Sequence, residues 1–267
     1  MSSQHRHDRR ATDQLRLQTG AGLAGQMLVL GILWAVSGLG LVGWLVGTAC
    51  GVTLCVLLLR SGKPSLGPAD LVTLSRAVLA GGTAALVADQ GRDASLVVVA
   101  VVASAALVLD AVDGQVARRT GTSSGLGARF DMEVDAFLIL VLSAFVGLFV
   151  GLWVLAIGAI RYVFVAAQQV LPWLRGPLPP SRARKTVAAL QGIALVVAGS
   201  GLVPGPVAVF VAGGALAALV WSFSRDIAWL WHVRTLPVIA EGALELAVVP
   251  QRGSEPATGG HKGAELA

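Results

Sequence analysis

Four aspartates are the residues whose type and spacing point most directly to chemistry. They lie within a stretch dominated by apolar and small residues: Asp110, Asp113, Asp131 and Asp135. At about 100° per residue, the first two share one face of a predicted helix, and the last two share a face of the next. Each carboxylate at the centre of a membrane span costs about 2.5–3.5 kcal/mol, so a cation is expected to neutralise them. Because no histidine or cysteine accompanies them, the expected ion is Mg²⁺ or Mn²⁺ rather than Zn²⁺.

Small residues and an arginine accompany the aspartates. Gly114, Ala117 and Gly127 fall on the aspartate faces of the two helices and leave room for a substrate against the backbone. Arg118 lies at the mouth of the predicted cleft, where it can bind a phosphate bidentately. The Gly-, Ser- and Thr-rich segment 119–126 predicts a turn between antiparallel helices. The residues therefore predict a metal-dependent site for a phosphorylated substrate that opens at the cytoplasmic interface, and they leave the reaction unnamed.

The composition of the 267-residue chain is that of a membrane protein. Hydrophobic residues make up 55% of it and charged residues 13%, against about 25% charged in a typical soluble domain. Soluble, disordered and disulfide-stapled proteins are therefore excluded. The two cysteines, Cys50 and Cys55, lie in an apolar run without a metal-ligand pattern. The net charge of +5 is interpreted as basic cytoplasmic loops rather than as nucleic-acid binding.

Apolar segments with polar breaks predict eight membrane-spanning helices, with six or seven as the alternative counts. The predicted spans are 21–37, 39–59, 71–88, 94–112, 131–150, 152–170, 187–202 and 205–223. On the second span, Gly43, Gly47 and Gly51 form a small-xxx-small repeat, which predicts close helix packing inside one subunit.

The distribution of basic residues predicts the orientation. If the N-terminus is cytoplasmic, the cytoplasmic connections hold nine basic residues: Arg60, Lys63, Arg118, Arg119, Arg129, Arg175, Arg182, Arg184 and Lys185. The outer connections hold only Arg92. By the positive-inside rule, this asymmetry favours an even number of spans with both ends in the cytoplasm.

The aspartate stretch resembles, position for position, the signature of the CDP-alcohol phosphatidyltransferase family, D-x2-D-G-x2-A-R-x8-G-x3-D-x3-D. In this sequence the signature reads Asp110, Asp113, Gly114, Ala117, Arg118, Gly127, Asp131 and Asp135. The wider resemblance covers about residues 65–223, which hold six of the eight predicted spans. The first two spans look like an N-terminal addition.

The resemblance implies an all-α, polytopic membrane bundle with a six-helix core, usually a homodimer, in the cell membrane with its active site facing the cytoplasm. Such an enzyme displaces CMP from a CDP-linked lipid with an alcohol acceptor. The predicted domains are a polar tail, a transmembrane hairpin, the transferase domain, and an interfacial segment with a disordered tail: residues 1–19, 20–64, 65–224 and 225–267.

The resemblance also implies a role for each position of the signature. The metal ligands for Mg²⁺ or Mn²⁺, expected as two ions, are Asp110, Asp113 and Asp131. The fourth aspartate, Asp135, lies beside the metal and acts as the general base on the acceptor hydroxyl. The nucleotide contacts are Gly114, Ala117, Arg118 and Gly127. Glu133 faces about 160° away from the midpoint of Asp131 and Asp135, so no catalytic role is expected for it.

Two further segments resemble parts of the family. Pro68, Asp70, Thr73 and Arg76 resemble its opening segment, which makes Asp70 and Thr73 candidate nucleotide contacts. The alternative is a plain helix start, with Asp70 near the positive end of the helix dipole. The basic segment before the seventh span resembles the family's acceptor-binding segment, with a membrane anchor as the alternative: Arg182, Arg184 and Lys185.

Arg161 lies inside a predicted span, and an intramembrane arginine is a functional hypothesis by default. It is expected to pair with one of the aspartates or to bind a phosphate of the acceptor. The leading interpretation of the chain is a phospholipid-synthesising transferase that uses CDP-diacylglycerol, with glycerol 3-phosphate or an inositol phosphate as acceptor. Serine or a second lipid remains an alternative acceptor, and a cation transporter or a catalytically inactive scaffold remains an alternative function.

Overall fold

Eight α-helices form the described part of the chain, which comprises residues 2–60, 67–120, 125–176 and 181–233 of a computed structural model. The side chains of helical residues 2–16, 68–69, 113–120, 125–126, 128 and 182 lie outside the description. The helices are α1 (Ser2–Ser37), α2 (Leu41–Arg60), α3 (Pro68–Gln90), α4 (Leu96–Thr120), α5 (Gly125–Val150), α6 (Leu155–Val170), α7 (Arg182–Gly199) and α8 (Gly205–Val233). Short 3-10 turns cover Gly91–Asp93, Leu152–Val154 and Pro172–Arg175, and the described residues contain no strand. The all-α prediction is confirmed.

Six of these helices are long and apolar enough to cross a membrane: α1, α2, α3, α5, α6 and α8. The other two predicted spans carry polar ends. In α4 the apolar part is limited to Leu96–Val112, because the helix continues into the aspartate and arginine stretch. In α7 three basic residues occupy the first turn. Both helices therefore lose apolar length at the end of the bundle where the candidate site lies.

The helix bounds differ from the predicted spans mainly at the chain ends. Helix α1 includes residues 2–19, which were predicted as a polar tail, and α8 continues beyond residue 223 to Val233. Residues 61–66, 121–124, 177–180 and 234–267 lie outside the described residues, as does the predicted C-terminal tail.

Helix α3 is the central element of the bundle, because it packs against α1, α2, α4 and α5. Its apolar span is the most buried of the six. The hydrophobic core around it is built from side chains such as Leu30 of α1, Leu86 of α3 and Phe145 of α5, all fully buried. Burial of such side chains stabilises the contacts through close packing, since lipid tails are as apolar as leucine.

The glycine repeat of α2 packs against α1 of the same chain. A Cβ at Gly47 would overlap Leu30, and one at Gly51 would lie 3.0 Å from Gln26. Glycine therefore allows the two backbones to approach closely, as small-xxx-small packing requires. The prediction that this repeat serves packing inside one subunit agrees with these contacts.

The turn between α1 and α2 is held by the last residues of α3. The carboxylate of Asp89 accepts hydrogen bonds from the backbone N–H groups of Gly40, at 2.7 Å, and Gly43, at 3.1 Å. The amide of Gln90 donates to the carbonyl of Ser37, at 2.8 Å. The first N–H groups and last carbonyls of helices lack partners within the helix. Asp89 and Gln90 act as the missing hydrogen-bond partners. The hairpin α1–α2 is therefore tied to α3 at the end of the bundle opposite the aspartates.

We expect replacement of Asp89 by alanine to leave the N–H groups of Gly40 and Gly43 without their acceptor. Loss of a helix cap costs about 1–2 kcal/mol, which should lower the melting temperature of the purified protein in detergent by a few degrees. The matched control is Asp93→Ala, which removes an exposed carboxylate from the adjacent turn. Equal melting temperatures for the two variants would contradict this role of Asp89.

Candidate active site

Three of the four aspartates converge between α4 and α5. Asp110 of α4 and Asp131 and Asp135 of α5 each offer an oxygen, and these oxygens lie within 4.8 Å of one another. The fourth, Asp113, follows Asp110 by three residues on α4, and its side chain lies outside the description. The sequence predicted that carboxylates from the two helices converge in one cleft. The three aspartates whose side chains are described do lie together in this way.

The guanidinium of Arg76, from the central helix α3, sits among these carboxylates. Its Nη1 lies 2.9 Å from Oδ1 of Asp110 and also contacts Asp131, while its Nη2 contacts Asp135. The side chain is only 1% exposed. Burial of an arginine at this depth requires anionic partners, and α4 and α5 provide them.

The sequence identified Arg76 only as part of the opening segment, for which substrate contact was one of two interpretations, and did not predict that it pairs with the aspartates. The available signal was electrostatic: a cluster of intramembrane carboxylates needs a cation, and Arg76 lies in a neighbouring apolar span. What the sequence did not provide was the packing of α3 between α4 and α5.

The charges and distances of the cluster fit a divalent cation. One guanidinium against three carboxylates leaves two negative charges. Mg²⁺ binds oxygen at about 2.0–2.1 Å, so opposite ligands of one ion lie about 4.2 Å apart. Oxygens within 4.8 Å of one another therefore need only a small movement to share an ion. Oxygen-only ligands favour Mg²⁺ or Mn²⁺ over softer metals.

The expected nucleotide contacts lie along α4 and α5 on one side of the aspartates. Gly114, Ala117 and Arg118 lie on the last turns of α4, in the part of that helix whose side chains lie outside the description. Gly127 lies in the first turn of α5 and is partly buried. The helical bounds place all four positions on the same side of the aspartates, toward the connection between α4 and α5.

The opening segment forms the start of α3. The carboxylate of Asp70 accepts a hydrogen bond from the N–H of Gly67, at 3.0 Å, so it caps the helix. Thr73 is buried, and it precedes Arg76 by three residues on the same side of the helix. The capping contact agrees with the helix-start alternative for Asp70, while nucleotide contacts by Asp70 and Thr73 stay predictions.

Arg161 of α6 pairs with Glu133 rather than with a described aspartate of the cluster. The Nη2 atom of Arg161 lies 2.6 Å from Oε1 of Glu133, and both side chains are partly exposed. Glu133 lies between Asp131 and Asp135 in sequence but on the opposite face of α5, as its helical angle predicted. Of the two roles expected for Arg161, acceptor binding stays a prediction.

The basic residues in the first turn of α7 lie on different faces of that helix. Arg184 points to α8, where its Nη1 lies 3.2 Å from Oδ2 of Asp226. Lys185 is exposed and falls within about 20° of Gly192 on the helix circumference. The side chain of Arg182 lies outside the description. The first turn of α7 thus offers one cation bound to α8 and one on the face of Gly192.

The face of Gly192 is the face that α7 turns toward the aspartate helices. A Cβ at Gly192 would lie 2.7 Å from Leu107 of α4 and 3.5 Å from Ile139 of α5. These residues lie about one turn from Asp110 and Asp135, on the side away from the α4–α5 connection. Lys185 lies two turns earlier on the same face of α7.

Two charged residues of this region were missed by the sequence reasoning. Asp226 is also 3.5 Å from Nη2 of Arg225, and Arg225 donates to Oγ of Ser181 at 3.0 Å. Both follow residue 223, where the predicted span ended, whereas α8 continues to Val233. The adjacent Arg-Asp pair inside an unbroken helical pattern was the signal that could have extended the helix.

Comparison with known proteins gives one match. A family model described as CDP-alcohol phosphatidyltransferase matches residues 67–225, which hold α3 to α7, most of α8 and the whole aspartate signature. Comparison with curated proteins and with solved structures gives no match. The hairpin α1–α2 lies outside the matched region.

We expect the carboxylate cluster to bind Mn²⁺, measured in detergent by the loss of the free-ion signal in electron paramagnetic resonance. Asp110→Asn removes one anionic ligand and should weaken Mn²⁺ binding by at least about tenfold. Loss of a residue that only supports a metal ligand already costs about this much affinity. Glu133→Gln is the matched control, because it removes a carboxylate from the opposite face of α5 and should leave the affinity nearly unchanged. Equal affinities for the two variants would contradict the assignment of the cluster as the ligand set.

Proposed function

The chain belongs to the CDP-alcohol phosphatidyltransferase family, whose members transfer a phosphatidyl group from a CDP-alcohol to an acceptor, and we propose that its donor is CDP-diacylglycerol. The proposed acceptor is a phosphorylated alcohol, glycerol 3-phosphate or an inositol phosphate, and CMP is released. The observation that carries the proposal is the convergence of Asp110, Asp131 and Asp135 from the two helices of the family signature.

The proposed metal ligands are Asp110, Asp113, Asp131 and Asp135, which would hold Mg²⁺ or Mn²⁺ in one or two sites. When bound, the metal neutralises the diphosphate and makes CMP a better leaving group. The role of the chain itself is to fix the ligands on two rigid helices. Phosphoryl-group transfer depends mainly on positioning and charge stabilisation, so this placement is what the reaction requires.

Asp135 is the proposed general base. Its carboxylate takes the proton of the acceptor hydroxyl as the hydroxyl oxygen attacks the phosphorus of the phosphatidyl group. A new P–O bond to the acceptor forms, the P–O bond to CMP breaks, and CMP leaves with the bonding electrons. The signature holds no serine, cysteine or histidine that could form a covalent intermediate. We therefore propose a single in-line displacement, with inversion at phosphorus.

The proposed nucleotide contacts are the remaining signature positions and the start of α3: Gly114, Ala117, Arg118, Gly127, Asp70 and Thr73. The glycines and the alanine let the CDP group approach the helix backbones. Arg118 supplies a bidentate donor for a phosphate. Support comes from the position of these residues on the α4–α5 connection side of the aspartates.

The proposed acceptor contacts are basic residues on α6 and α7: Arg161, Arg182, Arg184 and Lys185. Of these residues, Lys185 has the strongest support as an acceptor contact, because it is exposed and lies on the face of α7 that turns toward α4 and α5. Arg184 is paired with Asp226 and Arg161 with Glu133, and a phosphate of the acceptor can take the place of either carboxylate. A phosphorylated acceptor is favoured because charge-assisted hydrogen bonds to phosphate are strong.

The proposed setting is the cell membrane, with the active site toward the cytoplasm and two copies of the chain forming a homodimer. The orientation is supported by the basic residues near the ends of α2, α4, α6 and α7 on the aspartate side of the bundle. The homodimer rests on the resemblance to the family.

An acceptor panel tests the proposed function. Purified protein with CDP-diacylglycerol and Mg²⁺ or Mn²⁺ should release CMP when the correct alcohol is supplied, and Asp135→Asn should lower turnover by about 10²–10⁴-fold. Binding of CDP-diacylglycerol should persist in that variant, because the base contacts the acceptor. Absence of CMP release with every alcohol would contradict the function, and full activity of Asp135→Asn would contradict the base.

Replacement of Lys185 by alanine is expected to raise the KM for the acceptor by about tenfold, the cost of a lost hydrogen bond to a charged group. The value of kcat should change less, because Lys185 binds the acceptor away from the reacting atoms. Initial rates over a range of acceptor concentrations provide the measurement. The control is Arg92→Ala, an exposed arginine at the opposite end of the bundle. Unchanged acceptor kinetics in Lys185→Ala would remove this residue from the acceptor site.

A further inference from the structure

The guanidinium of Arg76 occupies the place where the three aspartates would share a cation. Nη1 contacts Asp110 and Asp131, and Nη2 contacts Asp135. These are the carboxylates whose oxygens lie within 4.8 Å of one another. A guanidinium bonded to all three lies between them. From this arrangement we infer that Arg76 is a built-in counter-ion that competes with divalent cations for the cluster, and so sets its metal affinity.

Competition follows from space and from charge. An ion bound by Asp110, Asp131 and Asp135 needs their oxygens at about 2.1 Å from its centre. The Nη atoms of Arg76 are bonded to the same oxygens, so guanidinium and ion cannot occupy the centre together. Each also repels the other, because both are cations and would lie close together. Divalent binding therefore requires Arg76 to give up these contacts.

The position of Arg76 explains why such a counter-ion is useful. The side chain belongs to α3, the most buried span, and is itself 1% exposed. Without a cation, three carboxylates would repel one another between α4 and α5. Arg76 neutralises part of that charge and ties α3 to both helices. The bundle can thus fold and pack around the cluster before any metal arrives.

Displacement of Arg76 leaves a guanidinium without its carboxylate partners, and this cation then needs another anion. Under the proposed function, the diphosphate of the CDP-lipid binds beside the same carboxylates and carries that charge. Arg76 then pairs with substrate phosphate in place of the carboxylates. The arginine is a positioning residue for the carboxylates in the free protein, and it favours joint binding of metal and nucleotide over binding of metal alone.

The experiment measures Mn²⁺ affinity of the purified protein in detergent by electron paramagnetic resonance, without nucleotide. Because the competing guanidinium is removed, Arg76→Gln should bind Mn²⁺ at least about tenfold more tightly than the native protein. A tenfold change corresponds to 1.4 kcal/mol. Arg76→Lys keeps the charge but not the planar fork, so its affinity should lie between the two. Arg92→Gln is the matched control for loss of one positive charge and should bind like the native protein. Equal or weaker binding by Arg76→Gln would overturn the inference.

A second measurement uses the native protein and is independent of how the variants fold. Butanedione modifies accessible arginines, and mass spectrometry reads the modification at Arg76. Mn²⁺ should increase modification of Arg76 severalfold and leave that of Arg92 unchanged. No increase at Arg76 in protein that binds Mn²⁺ would overturn the inference.

This inference rests on the metal site of the proposed function. The Mn²⁺ measurements distinguish failure of the proposed metal site from failure of the inferred competition. If the native protein binds no Mn²⁺, the proposed metal site is wrong. If it binds Mn²⁺ and Arg76→Gln binds it no more tightly, only the competition is wrong.

Discussion

Neutralisation of acidic side chains inside an apolar bundle is the constraint on which this structure depends. Carboxylates at membrane depth are costly, and the cost falls only when cations are brought to them. Helix α3 meets this requirement by placing Arg76 among Asp110, Asp131 and Asp135. The same contacts join α3 to α4 and α5, so these ion pairs connect the central helix of the fold to the candidate site.

The hairpin α1–α2 shows how a segment outside the family match is joined to the core. Both of its helices pack on α3, and its turn is tied to the end of α3 by Asp89 and Gln90. Arg76 points from the same helix toward α4 and α5. The hairpin therefore covers a part of α3 that the site does not use, and it adds to the burial of the helix that carries the counter-ion.

The sequence was sufficient for features that repeat along one helix and insufficient for features that depend on how helices meet. The approximate positions of the eight helices follow from apolar stretches between polar breaks, and the shared face of Asp131 and Asp135 on α5 follows from helical angle. Glu133 was placed on the opposite face for the same reason. The contact of Arg76 with the cluster, and that of Arg184 with Asp226, join residues from different helices. Periodicity within one segment carries no information on such pairs, so neither was predicted.

Charged contacts at the two ends of the bundle differ in a way that matters for function. At one end Asp89 binds backbone N–H groups of Gly40 and Gly43, which an incoming anion or cation cannot replace without unfolding the turn. On the aspartate side, three of the described arginines pair with carboxylates of other helices: Arg76, Arg161 and Arg184. A phosphate can take the place of a carboxylate beside an arginine, because both accept the same bidentate hydrogen bonds. Under the proposed function, the ion pairs that join the helices at this end are therefore contacts that a phosphorylated substrate can exchange, while the opposite end stays fixed and holds the helices in register.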